Sequence, residues 1–235
     1  MIHTVLICFQ NPEQTLIRWR RDVAPAAARA HVELGLNHPF VSVIDNSPSR
    51  SDSLGAFFGR DYHWMRGENL MYGGAINYAV RQARPSAFTV YCCSRHGTAF
   101  DDSWMIDLLR PMIADPVVGV TGCLWGSNSP EGVAHDIKRD WPKDGRYTFT
   151  HADGIGYVPQ HIQGGVYAAR TEVLLRCPYH DDCAHLYSDH TLTWDTMRAG
   201  YKCVDVPSVR SVWRQVWRDQ YSMEGIRYLH DEEHT

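Results

Sequence analysis

Short apolar runs alternate with longer amphipathic segments over the first half of this 235-residue chain. The runs are too short for buried helices and are rich in β-branched or aromatic side chains; they lie at residues 4–9, 40–44, 62–65, 88–93 and 117–125. The segments between most of them are long enough to form helices that cross back over a sheet. This alternation predicts an α/β fold, with a central, mostly parallel sheet flanked by helices.

Composition limits the chain to an ordinary globular protein. At 235 residues we expect a single domain over 1–235, and a net charge of -4 gives no overall positive field for nucleic acid. No run of about 18 apolar residues is present, so we predict no transmembrane segment. Several of the seven cysteines lie in apolar runs, which favours reduced, buried thiols and a cytoplasmic location.

Polar residues follow the predicted strands, at the edge where open α/β sheets bind ligands. Asp45 comes directly after the second strand, and its turn sequence also suits a purely structural Asx turn. Residues 94–97 form a polar elbow after the fourth strand. Gly73 and Gly74 precede a helix predicted over about 75–82 and would bring backbone N–H groups near a phosphate, or serve packing alone. The dinucleotide and Walker glycine patterns are absent, which disfavours dehydrogenases and P-loop enzymes.

The second half of the chain holds further candidates. Asp189 opens a predicted helix, where it is either an N-cap or a general base. Zinc-capable side chains cluster nearby in an unfamiliar spacing that equally suits a polar surface loop: Cys177, His180, Cys183 and His185. Arg214 and Arg218 alternate with Trp213 and Trp217 in a predicted C-terminal helix, and these arginines could close over phosphates. A cysteine hydrolase using Cys92 or Cys93 with His96 is a weaker interpretation, because the strand should bury a thiol.

Five segments, taken in order, resemble family-2-like glycosyltransferases of the GT-A fold across nearly the whole chain. They are the strand end VIDNS (43–47), the Asn/Gly-rich helix entry (68–77), the strand, elbow and helix of 88–122, the Gly-Gly segment (163–170), and the Ser-Asp-His with Arg-Ala-Gly-Tyr block (188–201). Each segment is weak alone, but their shared order makes the resemblance specific.

The resemblance implies a single GT-A-like, Rossmann-like domain that transfers sugar from a nucleotide-sugar donor, with inversion. Residues 1–125 would form the nucleotide-binding half. Residues 126–235 would form the acceptor half, with a mobile loop over 126–160. Asp189 would be the general base. The residues implied in donor binding are Asp45, Asn69, Gly73, Gly74, Asn77, Arg95, His96, Gly164, Gly165 and Arg214.

The elbow departs from the family pattern. Where an Asp-x-Asp pair usually holds Mn²⁺ or Mg²⁺ on the donor diphosphate, this chain has Ser94, Arg95, His96 and Gly97. Either His96 is a lone metal ligand, or Arg95 and His96 meet the phosphates directly. Two alternatives therefore stay open: a catalytically inactive sugar-nucleotide-binding or interaction module, and a glycosyltransferase acting on modified bases of phage-like DNA. The acceptor is a saccharide, a glycolipid, a protein or a nucleobase.

Overall fold

The computed structural model describes residues 1–82, 85–93, 102–125, 161–180 and 188–209. The predictions for the elbow 94–97, the loop 126–160 and the C-terminal helix with Arg214 lie outside these ranges. The described strands are β1 (Ile2–Cys8), β2 (Phe40–Asp45), β3 (Tyr62–Trp64), β4 (Phe88–Cys92), β5 (Val118–Trp125), β6 (His161–Arg170) and β7 (Lys202–Asp205). The described helices are α1 (Pro12–Arg18), α2 (Ala24–Glu33), α3 (Asp52–Phe58), α4 (Met71–Gln82), α5 (Trp104–Ala114), α6 (Thr171–Arg176) and α7 (Ser188–Arg198), with a π-helical turn over Trp19–Val23.

All seven strands join one sheet in the order β3-β2-β1-β4-β6-β5-β7. Strands β1 to β4 run parallel, and β5 and β7 run parallel to each other. Strand β6 lies between β4 and β5 and runs antiparallel to both. The predicted α/β class with a mostly parallel sheet is confirmed. One reversed strand matters for function, because it carries the start of β6 to the carboxyl edge of the sheet.

Helices cover both faces of the sheet, and the alternation of side chains along each strand explains how. On β1, Leu6 joins the hydrophobic cluster that includes Trp104 of α5. Its neighbour Val5 points to the opposite face and joins the cluster that includes Ile76 of α4. Two hydrophobic layers thus hold the sheet and fix where the strand ends lie. None of the described helices is long and apolar enough to span a bilayer.

Helix α4 begins one turn earlier than predicted. It starts at Met71 rather than near residue 75, and the Asn69 side-chain oxygen accepts a hydrogen bond from the Met71 N–H at 3.0 Å, just before the first turn. Gly73 and Gly74 therefore lie inside the first turns of the helix and do not form an approach to it. Asn69 supplies the side-chain acceptor that an exposed helix start requires.

Candidate functional site

The ends of β1 and β2 and the start of α4 are tied together at the carboxyl edge by Asn46 and Ser47. The Asn46 backbone N–H donates to the carbonyl of Cys8 (2.9 Å), and its side-chain N–H donates to the carbonyl of Met71 (3.0 Å). The Ser47 hydroxyl accepts from the backbone N–H of Gln10 at 2.7 Å. Asn46 is 2 % exposed, and its side-chain oxygen is buried without a hydrogen-bond partner. A buried acceptor of this kind is satisfied in proteins by an ordered water or by a bound donor group.

Asp45, at the end of β2, is fully buried. One carboxylate oxygen accepts from the backbone N–H of Ser47 (3.0 Å), and the other accepts from the Tyr62 hydroxyl (2.6 Å). Burial, and then this hydrogen bond to Asp45, raise the pKa of Tyr62 above its usual value. The carboxylate therefore closes the Asx turn that the sequence allowed, and its predicted contact with a nucleotide base stays a prediction.

Three of the predicted donor-binding residues, Gly73, Gly74 and Asn77, lie in the first turns of α4, and a fourth, Asn69, precedes the helix. Asn69 caps the helix, and Gly74 lies half-buried on it. A Cβ on Gly73 would lie 2.7 Å from the Tyr179 Cβ, so a close helix approach requires glycine there. The Asn77 side chain donates to the Tyr179 carbonyl (2.8 Å) and accepts from its N–H (3.0 Å). Gly73 and Asn77 thus both engage Tyr179 within the protein, and their predicted role in donor binding remains untested.

The start of β6 brings two residues implied in donor binding, Gly164 and Gly165, close to Asp189 and to the end of β4. The Gly165 carbonyl accepts from the Cys93 N–H at 2.8 Å, so it lies directly beside the chain that enters the elbow. The Gly164 N–H donates to Asp189 Oδ2 at 3.1 Å. Residues far apart in sequence therefore meet beyond the ends of the parallel strands, where α/β sheets bind ligands.

Asp189 lies at the second position of α7 and is held against β6 by two further hydrogen bonds. The Thr193 hydroxyl donates to the Asp189 carbonyl (2.8 Å) and accepts from the Ile162 N–H (3.0 Å). Asp189 is half-buried, and one of its carboxylate oxygens is fixed by the Gly164 N–H. A carboxylate fixed at this edge of the sheet has the placement that a general base requires.

A group of tyrosines lies beside Asp189. The Tyr167 and Tyr179 hydroxyls are 2.6 Å apart, and the Tyr179 and Tyr72 hydroxyls are 3.3 Å apart. Burial raises the pKa of all three phenols above the usual value. Tyr91 of β4 packs its ring edge-on against Tyr72, with centroids 5.0 Å apart. Sequence reasoning missed this group, because its members are scattered along the chain and share no local pattern.

The backbone is strained at this edge. Among non-glycine residues in the described ranges, positive φ occurs at Gln10 (55°), Arg66 (56°) and Met71 (54°). Gln10 follows β1, Arg66 follows β3, and Met71 is the first residue of α4. Backbone strain of this kind tends to cluster at functional sites. The carboxyl edge is therefore the candidate site on backbone grounds as well.

The described residues bear on the thiol nucleophile and on two of the four zinc-capable side chains. Burial raises the pKa of the Cys92 thiol to about 12, which leaves it un-ionised and a poor nucleophile at neutral pH. His180 hydrogen-bonds the Asp195 carboxylate at 2.6 Å, and the Cys177 thiol donates to the Asp195 carbonyl. No group of three or more metal-capable His, Cys, Asp or Glu residues occurs in the described ranges. The other zinc candidates, Cys183 and His185, lie outside them, as do Arg95, His96 and Arg214.

Comparison with known proteins gives a fold and no family. No family model and no curated protein matches the sequence. Among solved structures, glucosyl-3-phosphoglycerate synthase from Mycobacterium tuberculosis, in complex with Mn²⁺, UDP-glucose and phosphoglyceric acid, superposes with a TM-score of 0.58 at 15% identity. The match covers 99% of this chain and 79% of that one. The same synthase with Mg²⁺ and UDP gives 0.53 at 12% identity, covering 97% and 78%.

Residues 1–349 of S. aureus TarS superpose with a TM-score of 0.52 at 12% identity, covering 89% of this chain and 58% of that one. At these identities the likeness establishes the fold alone. The chain has the α/β fold of these GT-A glycosyltransferases, which agrees with the order and directions of its seven strands.

Proposed function

We propose that this protein transfers a sugar from a nucleotide-sugar donor to an acceptor hydroxyl or amine, with Asp189 as the general base. The observation that carries the proposal is the placement of the Asp189 carboxylate, held by the Gly164 N–H at the carboxyl edge of a GT-A-type sheet. The neighbour from M. tuberculosis is a glucosyl-3-phosphoglycerate synthase in complex with UDP-glucose and phosphoglyceric acid, which supports this reaction class.

The chemistry follows from these positions. Asp189 accepts the proton of the acceptor O–H as its oxygen bonds to the anomeric carbon. The bond from that carbon to the diphosphate breaks, and its electron pair leaves with the nucleoside diphosphate. Attack opposite the leaving group inverts the anomeric configuration. This is the proposed stereochemical outcome.

The nucleotide is proposed to lie over the ends of β1 and β2. The unpaired Asn46 side-chain oxygen supports this placement, because a nucleobase N–H would satisfy it. The leaving diphosphate needs positive charge, which the elbow would supply through Arg95 and His96 or through a divalent ion at His96. Neighbours crystallised with Mn²⁺ or Mg²⁺ support testing both ions.

A thermal-shift screen tests donor binding. UDP, UDP-glucose, other sugar nucleotides and free sugars are each added with Mn²⁺, with Mg²⁺ and with EDTA. A donor at a hundredfold its Kd adds about 2.7 kcal/mol of stability, hence about 5–10 °C in Tm for a chain of this size. If none of the nucleotides or sugar nucleotides raises the Tm, the donor proposal is wrong and an interaction module becomes the better interpretation.

Asp189→Asn tests the base. We expect sugar transfer to fall by about 10²–10⁴, with donor binding retained, because the amide cannot accept the proton. Asp52→Asn, on the exposed start of α3, is the matched control and should transfer at the wild-type rate. Transfer near the wild-type rate in folded Asp189→Asn would remove Asp189 as the base.

A further inference from the structure

Two histidine rings meet where α2 ends and the chain turns towards β2. Gly35, with a φ of 60°, reverses the chain just past the helix, so that the Leu36 N–H donates to the His31 carbonyl at 3.2 Å. Two residues further on, His38 places its ring centroid 5.5 Å from that of His31. The connection leads into the start of β2, which runs parallel to β1, so the pair lies at the amino edge of the sheet, opposite the candidate site.

Backbone carbonyls determine which nitrogen of each ring carries a proton. His31 Nδ1 bonds the Leu36 carbonyl, and His38 Nδ1 bonds the Pro39 carbonyl at 2.9 Å. Because a carbonyl oxygen can only accept, each Nδ1 must be the donor, and each Nε2 of a neutral ring keeps a lone pair. Within the residues that the structure describes, neither Nε2 has a hydrogen-bond partner.

Metal-bound histidines in proteins show this same pattern of hydrogen bonds. A ligating imidazole binds the ion through one ring nitrogen and donates its other N–H to a carboxylate, a backbone carbonyl or water, which fixes the ring and raises its basicity. Both His31 and His38 already make that outer contact to a carbonyl. His31 also lies in the last turn of α2, where the helix dipole favours a positive charge.

The separation of the two rings suits a single shared ion. Zn–N bonds of about 2.0–2.1 Å put a ring centroid about 3.2 Å from the metal, so a tetrahedral angle separates two such centroids by about 5.2 Å. The observed 5.5 Å is close to this value, and the 51° between the ring planes shows that the rings do not stack face to face. His31 is half-buried and His38 is exposed, which leaves room for water on the ion.

We propose that His31 and His38 bind one divalent transition-metal ion through their two Nε2 atoms, with water in its remaining positions. The class of ion is Zn²⁺, Ni²⁺ or Cu²⁺, because imidazole suits these metals, whereas Mg²⁺ prefers oxygen ligands. With two protein ligands rather than the four of a structural zinc site, binding is expected to be weak and reversible. The ion would tie the end of α2 to the chain that enters β2. This site is separate from the proposed function, because it lies at the opposite edge of the sheet from Asp189.

The test adds Zn²⁺ to the full chain at neutral pH and follows the histidine-ring resonances by NMR. The His31 and His38 signals are assigned from their loss in His31→Gln and His38→Gln. The matched control is His180→Gln, which replaces an exposed histidine whose Nε2 already pairs with Asp195.

In the wild type and in the control, we expect the two rings to respond together in one saturable transition. The same concentration of Mg²⁺ should leave both rings unchanged. In His38→Gln, the His31 ring should need at least about tenfold more Zn²⁺, because loss of a ligand should cost no less than loss of an outer-shell partner.

Three results would overturn the site. The first is that the two rings do not respond to Zn²⁺. The second is that the His31 ring responds equally in the wild type and in His38→Gln, because each ring would then bind an ion alone. The third is an equal response to Mg²⁺. If His31→Gln does not fold, calorimetric titration of His38→Gln with Zn²⁺ decides: one equivalent fewer than the wild type supports the site, and an unchanged stoichiometry overturns it.

Discussion

The resemblance to family-2-like glycosyltransferases implies that Asn77 binds the donor, whereas the structure shows it in contact with Tyr179. Replacement of Asn77 by Ala distinguishes a structural role from a ligand-binding role. In the structure, the buried amide clasps both backbone groups of Tyr179, at 2.8 and 3.0 Å. Alanine would leave one N–H and one C=O unpaired in the interior. At about 1–3 kcal/mol for each unpaired group, we expect a loss of about 2–6 kcal/mol in the free energy of unfolding.

The loss is measured by urea denaturation, followed by tryptophan fluorescence and far-UV circular dichroism. For a chain of this size it corresponds to a Tm lowered by about 4–24 °C. Asn69→Ala is the matched control, because it removes a single, partly exposed cap and should cost only about 0.5–2 kcal/mol.

Asn77→Asp adds a pH signature. The carboxylate still accepts from the Tyr179 N–H, but it must be protonated to donate to the Tyr179 carbonyl. The folded-state pKa of this carboxyl should therefore lie above its unfolded value of about 3.9. The stability of the variant relative to the wild type should then be highest below about pH 3.9 and fall as the pH rises from there through the folded-state pKa. An Asn77→Ala protein as stable as the wild type but unable to bind UDP would refute the structural reasoning.

Two further substitutions test the packing and electrostatics of the sheet. Gly73→Ala should lower the free energy of unfolding by about 1–3 kcal/mol in urea titrations, because its Cβ would meet the Tyr179 Cβ at 2.7 Å; a neutral result would mean that α4 shifts freely. Burial, and then repulsion from His63, lower the pKa of His3 to about 3, so the neutral ring is required in the fold. Wild-type stability should thus fall as the pH drops from about 6.5 towards 3, by at most about 1.4 kcal/mol per pH unit from this group. His3→Gln should lack that component of the slope, and an unchanged slope would contradict the assignment.

The parallel strands of the sheet could be predicted from the sequence, but the reversed direction of β6 could not. The runs that became β1 to β5 are short and apolar, and their helical spacers imply parallel crossovers. Nothing in the period of residues 161–170 shows that β6 enters between β4 and β5 in reverse, because side-chain alternation is the same for both directions. That orientation follows from pairing with strands distant along the chain.

The polar residues of the candidate site that follow a strand or open a helix could be predicted from the sequence. The side-chain contacts that these residues make could not. Asp45 and Asp189 were found because each follows a strand or opens a helix. The hydrogen bond from the Tyr62 hydroxyl to Asp45, and the hydroxyl contact between Tyr72 and Tyr179, depend on tertiary contacts that span many residues. Asn46 was overlooked beside Asp45, although its amide connects β1 to the start of α4.

The reversed strand has a consequence for synthesis on the ribosome. Strand β5 is connected to β4 only through β6, which is made later. When residues 1–125 have emerged, β4 is left as an open, hydrogen-bonding edge, and β5 has neither of its eventual neighbours. The nascent chain should therefore hold an unfinished sheet until residue 170 has left the exit tunnel, and this interval is when chaperone binding or aggregation at the β4 edge is expected.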